Sequence, residues 1–166
     1  MAVRLDYGRH GRIVALPDHG RVSLLDPPKG QPLADPAAAI AAALAAPIAT
    51  PPLHQLAQRR RDAVIVISDK TRPIPYATVL PPILAALDSA GLPRRQIEIV
   101  VATGLHRANT GAELIEMVGA EIAGSYRIRN HVARDTAAHT HIGTTEMGTE
   151  IWIDGAFLRA DLKIVT

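Results

Sequence analysis

The chain has 166 residues, room for one ordinary domain with one core. Hydrophobic residues make up 48% and charged residues 20%, a globular composition that excludes a disordered chain. Eighteen Lys and Arg against sixteen Asp and Glu leave a formal charge of +2, too little for a basic nucleic-acid-binding face, and 3% aromatics argue against a base-stacking platform. There is no cysteine, which excludes disulfide scaffolds, thiolate zinc sites, iron–sulfur clusters and a catalytic thiol. No apolar run approaches the roughly 20 residues that span a bilayer, and Met1–Asp6 starts charged, without the apolar core of a signal peptide. The expectation is a soluble, cytoplasmic α/β protein with neither nucleic acid nor membrane as partner.

The first thirty residues read as a hairpin, Val3-Arg4-Leu5 and Arg12–Leu16 around Tyr7-Gly8 and Gly11, followed by a breaker-rich loop at Asp26–Gly30. Asp35 then suits an N-cap with Pro36 at the first helical position, and Ala37–Ala46 is nearly pure helix former, stopped by Pro47. From Ala63 the pattern alternates. Ala63–Ile67 and Ile97–Ala102 are continuous runs expected of parallel strands buried on both faces. Between them a helix is expected over Pro82–Ala90, closed by Gly91. Thr110 and Glu113 match a capping box opening the next helix. Tyr126–Arg129 reads as a third strand, Glu150–Ile153 as an edge strand and Leu162–Val165 as a final core strand. Together these predict an α/β fold, a layered αβα Rossmann-like domain with a mostly parallel sheet, preceded by a short N-terminal β-hairpin.

Unusual polar residues fall where the strands end. Ser68-Asp69-Lys70-Thr71-Arg72-Pro73 follows the first core strand, Thr103–Thr110 the second, and Asn130-His131 the third. In open α/β sheets ligands bind outside the carboxyl ends of the strands, so a site is expected there. Taken singly, Asp69 suits a turn or helix cap, Arg72 a surface charge, His106 an exposed loop histidine, and Thr110 a cap. Their company suggests more. Pro73 and Pro75 stiffen the loop around Arg72, whose guanidinium suits a carboxylate or phosphate. Gly104 permits a sharp strand exit before His106, and imidazole titrates near neutrality.

His139-Thr140-His141, with His131 nearby, invites a metal reading, but no carboxylate stands at a convincing spacing and a solvated loop is expected. The glycine-rich phosphate motifs and the nucleophile elbow are missing.

The order and spacing of these motifs resemble the N-terminal portion of the nickel-dependent lactate racemase family. The resemblance rests first on Ser68–Pro73 and on Ala102-Thr103-Gly104-Leu105-His106-Arg107 with Thr110 and Glu113. Tyr7-Gly8, Leu16-Pro17, Pro47-Ile48, Pro52-Leu53, Asn130-His131, Gly143-Thr144-Thr145, Gly148 and Ala160-Asp161-Leu162 support it.

The resemblance implies racemisation of a lactate-like 2-hydroxy acid by hydride transfer to a nickel-pincer nucleotide. Two histidines exchange the hydroxyl proton from opposite faces. It assigns His106 as the first of these, Arg72 to the substrate carboxylate, and Asp69 and Thr71 to the cofactor. Family members are longer. Their second catalytic histidine, cofactor-attaching lysine and nickel-ligating histidine follow the segment matching Ala160–Thr166. Residues 1–166 are therefore expected to be the N-terminal domain of a truncated racemase, inactive alone and without a nickel ligand. The missing C-terminal domain is the expected partner, and the cofactor is expected only in the full-length protein. Two rival readings are a non-catalytic module binding an anion through Arg72, and a zinc hydrolase using His131, His139 and His141.

Overall fold

A computed structural model describes every residue except Arg9, Asp18, Asp26, Pro27, Lys29 and Pro73. The loop expected at Asp26–Gly30 rests on three of these and lies outside the described residues, as does Pro73 of the Arg72 loop. The chain divides into two compact units, residues 1–32 and 33–166. In the first, β1 (Ala2–Leu5) and β2 (Arg12–Ala15) pair antiparallel, from Ala2 opposite Ala15 to Leu5 opposite Arg12. This is the expected hairpin.

The second unit opens with α1 (Pro36–Ala45), where the Asp35 carboxylate accepts the Ala38 N–H at 2.9 Å as the sequence predicts. Its alanines permit close approach to a neighbouring helix, but none of its residues is fully buried. A short helix not anticipated from sequence, α2 (Leu53–Ala57), sends Leu53 and Ala57 into the core. β3 (Ala63–Ser68) and β4 (Ile97–Ala102) form the centre of a four-stranded parallel sheet. β5 (Arg127–Asn130) joins β4, and β8 (Leu162–Val165) joins β3, giving the order β5-β4-β3-β8. Register is even across the centre, with Ala63 opposite Ile97 and Ser68 opposite Ala102. The two loops therefore start side by side.

The sheet is flanked by helices. Ala63, Ile65, Ile67, Ile97, Ile99 and Val101 project from one face into the core with Leu80, Leu84 and Leu87 of α3 (Tyr76–Ser89), Val118 of α4 (Gly111–Val118) and Ile122 of α5 (Ala120–Ser125). Burying each large aliphatic side chain contributes about 1.5–3 kcal/mol. The opposite face carries Val64, Val100, Glu98 and Arg129, and Arg129 binds Asp154 at the end of β7 (Glu150–Asp154), just before α6 (Gly155–Arg159). Strand β7, read from the sequence as an edge strand, does not join the main sheet. It pairs antiparallel with β6 (His139–Thr144) in a separate two-stranded ribbon. His139-Thr140-His141 is correspondingly a strand, not a loop. Among the described residues no helix is long and apolar enough to cross a membrane.

Helix α3 differs most from the sequence reading. It begins at Tyr76, six residues before the expected Pro82, and contains Pro81 and Pro82. Each proline forfeits a helical N–H, a cost that burial of Tyr76 and Leu80 outweighs. The Tyr76 hydroxyl also accepts the Ser68 N–H at 2.6 Å, fixing the helix to the end of β3. At its other end Gly91 takes φ +82°, its N–H bonding the Asp88 carbonyl and that of Leu92 the Leu87 carbonyl, the expected glycine closure.

Tyr76→Phe should leave the Ser68 N–H without its acceptor. A loss of about 1–3 kcal/mol is expected, read as a lower urea midpoint at unchanged m-value.

Candidate active site

The strand order reverses at β3: the chain proceeds to β4 and β5, then returns to β3's other side as β8. Such a reversal opens a crevice at the carboxyl ends of the strands, where the two most polar loops lie. A cavity of about 350 Å³ at the other end of the sheet is lined by Asp62, Arg95 and Arg127 and includes none of the expected site residues.

Asp69 follows β3 directly and is buried, with 4% of its surface exposed. Its Oδ1 accepts the Thr71 hydroxyl at 2.6 Å and the Thr71 N–H at 3.2 Å, and its carbonyl accepts the Arg72 N–H at 3.1 Å. These bonds wind the loop into a tight turn. Beyond β4, Gly104 takes φ +56° and the His106 N–H bonds the Thr103 carbonyl at 2.9 Å. That turn brings His106 Nδ1 to 2.6 Å from Asp69 Oδ2. The Thr71 hydroxyl, against the opposing effect of burial and with help from His106, holds the Asp69 carboxyl below its ordinary value. Asp69 is therefore a carboxylate, and it selects the imidazole tautomer with hydrogen on Nδ1. The Nε2 of an imidazole that is more than half exposed is left to take or give a proton.

A second network joins the loops from beneath. The Asn109 side chain is buried: its Oδ1 accepts the Lys70 N–H at 3.3 Å and its Nδ2 donates to Glu113 Oε2 at 2.8 Å. Its backbone N–H and carbonyl bond the Asn130 amide at 2.8 and 3.0 Å. Glu113 is not the partner in a capping box, since the Thr110 side chain makes no cap bond. It receives a two-pronged bond from Arg107 at 2.7 and 2.8 Å and an ion pair from Lys70. These, Arg107 foremost, hold its carboxyl far below the usual range. Charge-assisted bonds outcompete a neutral cap bond, which explains the difference from the sequence reading.

The consequence concerns charge. Of the three cations on these loops, Lys70 and Arg107 share the one carboxylate of Glu113, whereas the exposed Arg72 guanidinium has no hydrogen-bond or ion-pair partner among the described residues. Both carboxylates, Asp69 and Glu113, are turned inward. Three cations against these two carboxylates leave a positive surplus, and Arg72 is the cation exposed without a partner among the described residues.

The structure thus unites Asp69, Thr71 and His106 directly, with Arg72 on the same turn. Sequence reasoning missed the pairing of Asp69 with His106 and the linking role of Asn109. The i, i+4 spacing of Asn109 and Glu113 was the available signal. His131 and His139 also meet, their Nε2 atoms 3.3 Å apart, but the His141 ring packs on Trp152 with centroids 4.9 Å apart. Among the described residues no three His, Cys, Asp or Glu side chains are grouped to hold a metal.

A family model of the lactate racemase N-terminal domain matches residues 7–166. The chain belongs to this family. A lactate racemase of Lactiplantibacillus plantarum is 37% identical over 112 residues, 68% of this chain and 26% of that protein. One from Thermoanaerobacterium thermosaccharolyticum is 30% identical over the same shares. The solved lactate racemase apoprotein from the latter organism matches with a TM-score of 0.78 at 27% identity, over 99% of this chain and 38% of that one. The chain thus spans about a quarter of the curated relatives it matches.

The lowered carboxyl of Asp69 sets a pH dependence. Its contribution to stability is present above the ordinary value of 3.8 and is lost as pH falls from there through the lowered folded-state value. The gap in urea midpoint between wild type and Asp69→Asn should therefore narrow as pH drops from about 5 toward 2. A gap that stays constant over that range contradicts the assignment.

Proposed function

We propose that this chain is the N-terminal part of a racemase or epimerase of a lactate-like 2-hydroxy acid. It supplies one acid/base histidine and the carboxylate-binding arginine. The observation that carries the reading is the Asp69–His106 pair at 2.6 Å, with Arg72 on the same turn having no partner among the described residues. A 2-hydroxy acid offers the matching groups: a carboxylate for the guanidinium fork and a hydroxyl proton for His106 Nε2. His106 takes that proton when one enantiomer reacts and gives it back when that same enantiomer forms in the reverse direction. Asp69, with both oxygens engaged, acts by holding the imidazole rather than by touching substrate.

The family implies a nickel-pincer nucleotide, which supplies the hydride-accepting chemistry when bound. The residues present fit an anionic nucleotide. Three cations, Lys70, Arg72 and Arg107, stand against the two carboxylates Asp69 and Glu113, and, chain neighbours aside, no atom of the described residues lies within 4 Å of where a Cβ at Gly104 would point, so the rim is net positive and open there. Thr71 and Asp69 are proposed to face it through the Asp69 turn. Membership of a family of racemases favours this reading over a passive anion-binding module. The zinc-hydrolase reading loses its third ligand with His141 held on Trp152.

Two variants test the roles, each in an enzyme that joins this chain to the C-terminal part of its relatives. Arg72→Lys keeps the charge but loses the fork, and kcat/KM for the 2-hydroxy acid should fall roughly ten- to hundredfold, equivalent to about 1.5–3 kcal/mol. An unchanged kcat/KM would remove Arg72 from the substrate site.

His106→Asn should fold normally and slow racemisation at least about 10²-fold in both directions. Circular dichroism checks the fold, and polarimetry from each enantiomer checks the rates. Near-normal rates would leave His106 a surface histidine.

A further inference from the structure

His131, directly after β5, and His139, the first residue of β6, face each other with Nε2 atoms 3.3 Å apart. The other nitrogen of each ring decides the tautomer. His139 Nδ1 lies 2.6 Å from the Asp135 carbonyl, which can only accept, so Nδ1 carries the hydrogen. His131 Nδ1 lies 3.0 Å from Asp154 Oδ2. Asp154 already takes both prongs of Arg129, at 2.6 and 2.9 Å, and the N–H groups of Ala156 and Phe157. A carboxylate with that set of donors accepts from His131 too. With both Nδ1 atoms donating, the neutral form of each ring would present its Nε2 lone pair to the other ring's Nε2.

Converging lone pairs repel unless a cation lies between them. A shared proton can bridge nitrogens at this distance as a hydrogen bond. Two zinc–nitrogen bonds of about 2.0–2.1 Å at a tetrahedral angle also hold the nitrogens about 3.3 Å apart. The rings meet edge-on, with centroids 4.9 Å apart and planes at 85°, rather than stacking. The Nδ1–H bonds to a carboxylate and a carbonyl are also those that orient histidine metal ligands. A cavity of about 430 Å³, lined by both histidines with Ala133, Thr136 and Trp152, leaves space for water ligands. The nearby Arg129 charge is taken up by Asp154 and by Glu98 at 3.1 Å.

We infer that His131 and His139 form a two-histidine site for a borderline first-row divalent cation such as zinc, with water completing its coordination. The site pins the β6–β7 ribbon to the end of β5. It uses none of the residues assigned to racemisation and stands or falls separately from that reading.

Calorimetric titration of the metal-free chain with zinc chloride tests it. One equivalent should bind. His131→Ala and His139→Ala should each weaken binding at least about tenfold, the lower end for disturbing even an outer partner of a metal ligand, and His141→Ala should not. Long-range ¹H–¹⁵N spectra of the unmutated chain keep the test sound should either variant misfold. Zinc should shift Nε2 of His131 and His139 and leave their Nδ1–H in place. Absence of binding, equal affinity in the His131→Ala/His139→Ala double variant, or zinc shifts confined to other histidines would overturn the proposal. So would a histidine pair that titrates as one shared proton with no response to zinc.

Discussion

A single buried amide, that of Asn109, holds the strand-end loops in one arrangement. Its oxygen takes the backbone of the β3 loop, its nitrogen takes Glu113 on α4, and its own backbone is clasped by Asn130 from β5. Buried polar groups must be satisfied, and here the side-chain amide draws on the β3 loop and α4 while the backbone of the same residue draws on β5, so Asn109 is fully satisfied only when all three are in place. The Asp69–His106 contact depends on this framework. It spans two loops whose side chains would otherwise have no common reference.

The sheet provides the other half of that reference. Even pairing of β3 with β4 sets Ser68 opposite Ala102, so the loops begin at the same height. Two tight turns then cover the remaining distance, one closed by the Asp69 carboxylate and one permitted by Gly104. Local turn chemistry and a long-range strand register are both needed to bring an imidazole to 2.6 Å from a carboxylate.

Much of this was legible in the sequence, and the exceptions have physical causes. The two central strands announce themselves because β-branched runs buried on both faces have few alternatives. Their loop residues stand out for the same reason, as abrupt polarity after apolar runs. The start of α3 was misread because Pro81-Pro82 looks like a helix opening, while the true start depends on burying Tyr76 and engaging Ser68, which are tertiary facts. Glu113 was read as a local cap because the spacing fits, yet its charge is claimed by Lys70 and Arg107 from outside the helix. The pairing of β7 with β6 was likewise invisible, since a short strand does not reveal which neighbour it will take.

The division of labour between inward and outward side chains has an evolutionary consequence. Asn109, Asp69 and Glu113 spend their hydrogen bonds on the framework, whereas Arg72 and the 75%-exposed Leu105 at the Gly104 turn point away from it. Substitutions at the outward positions need not disturb the bonds that fix the loops, so under the proposed reading what the rim binds can change while the scaffold keeps its bonds. Relatives that differ in what they act on are then expected to diverge at the positions of Arg72's and Leu105's neighbours on the rim and to keep the amide beneath.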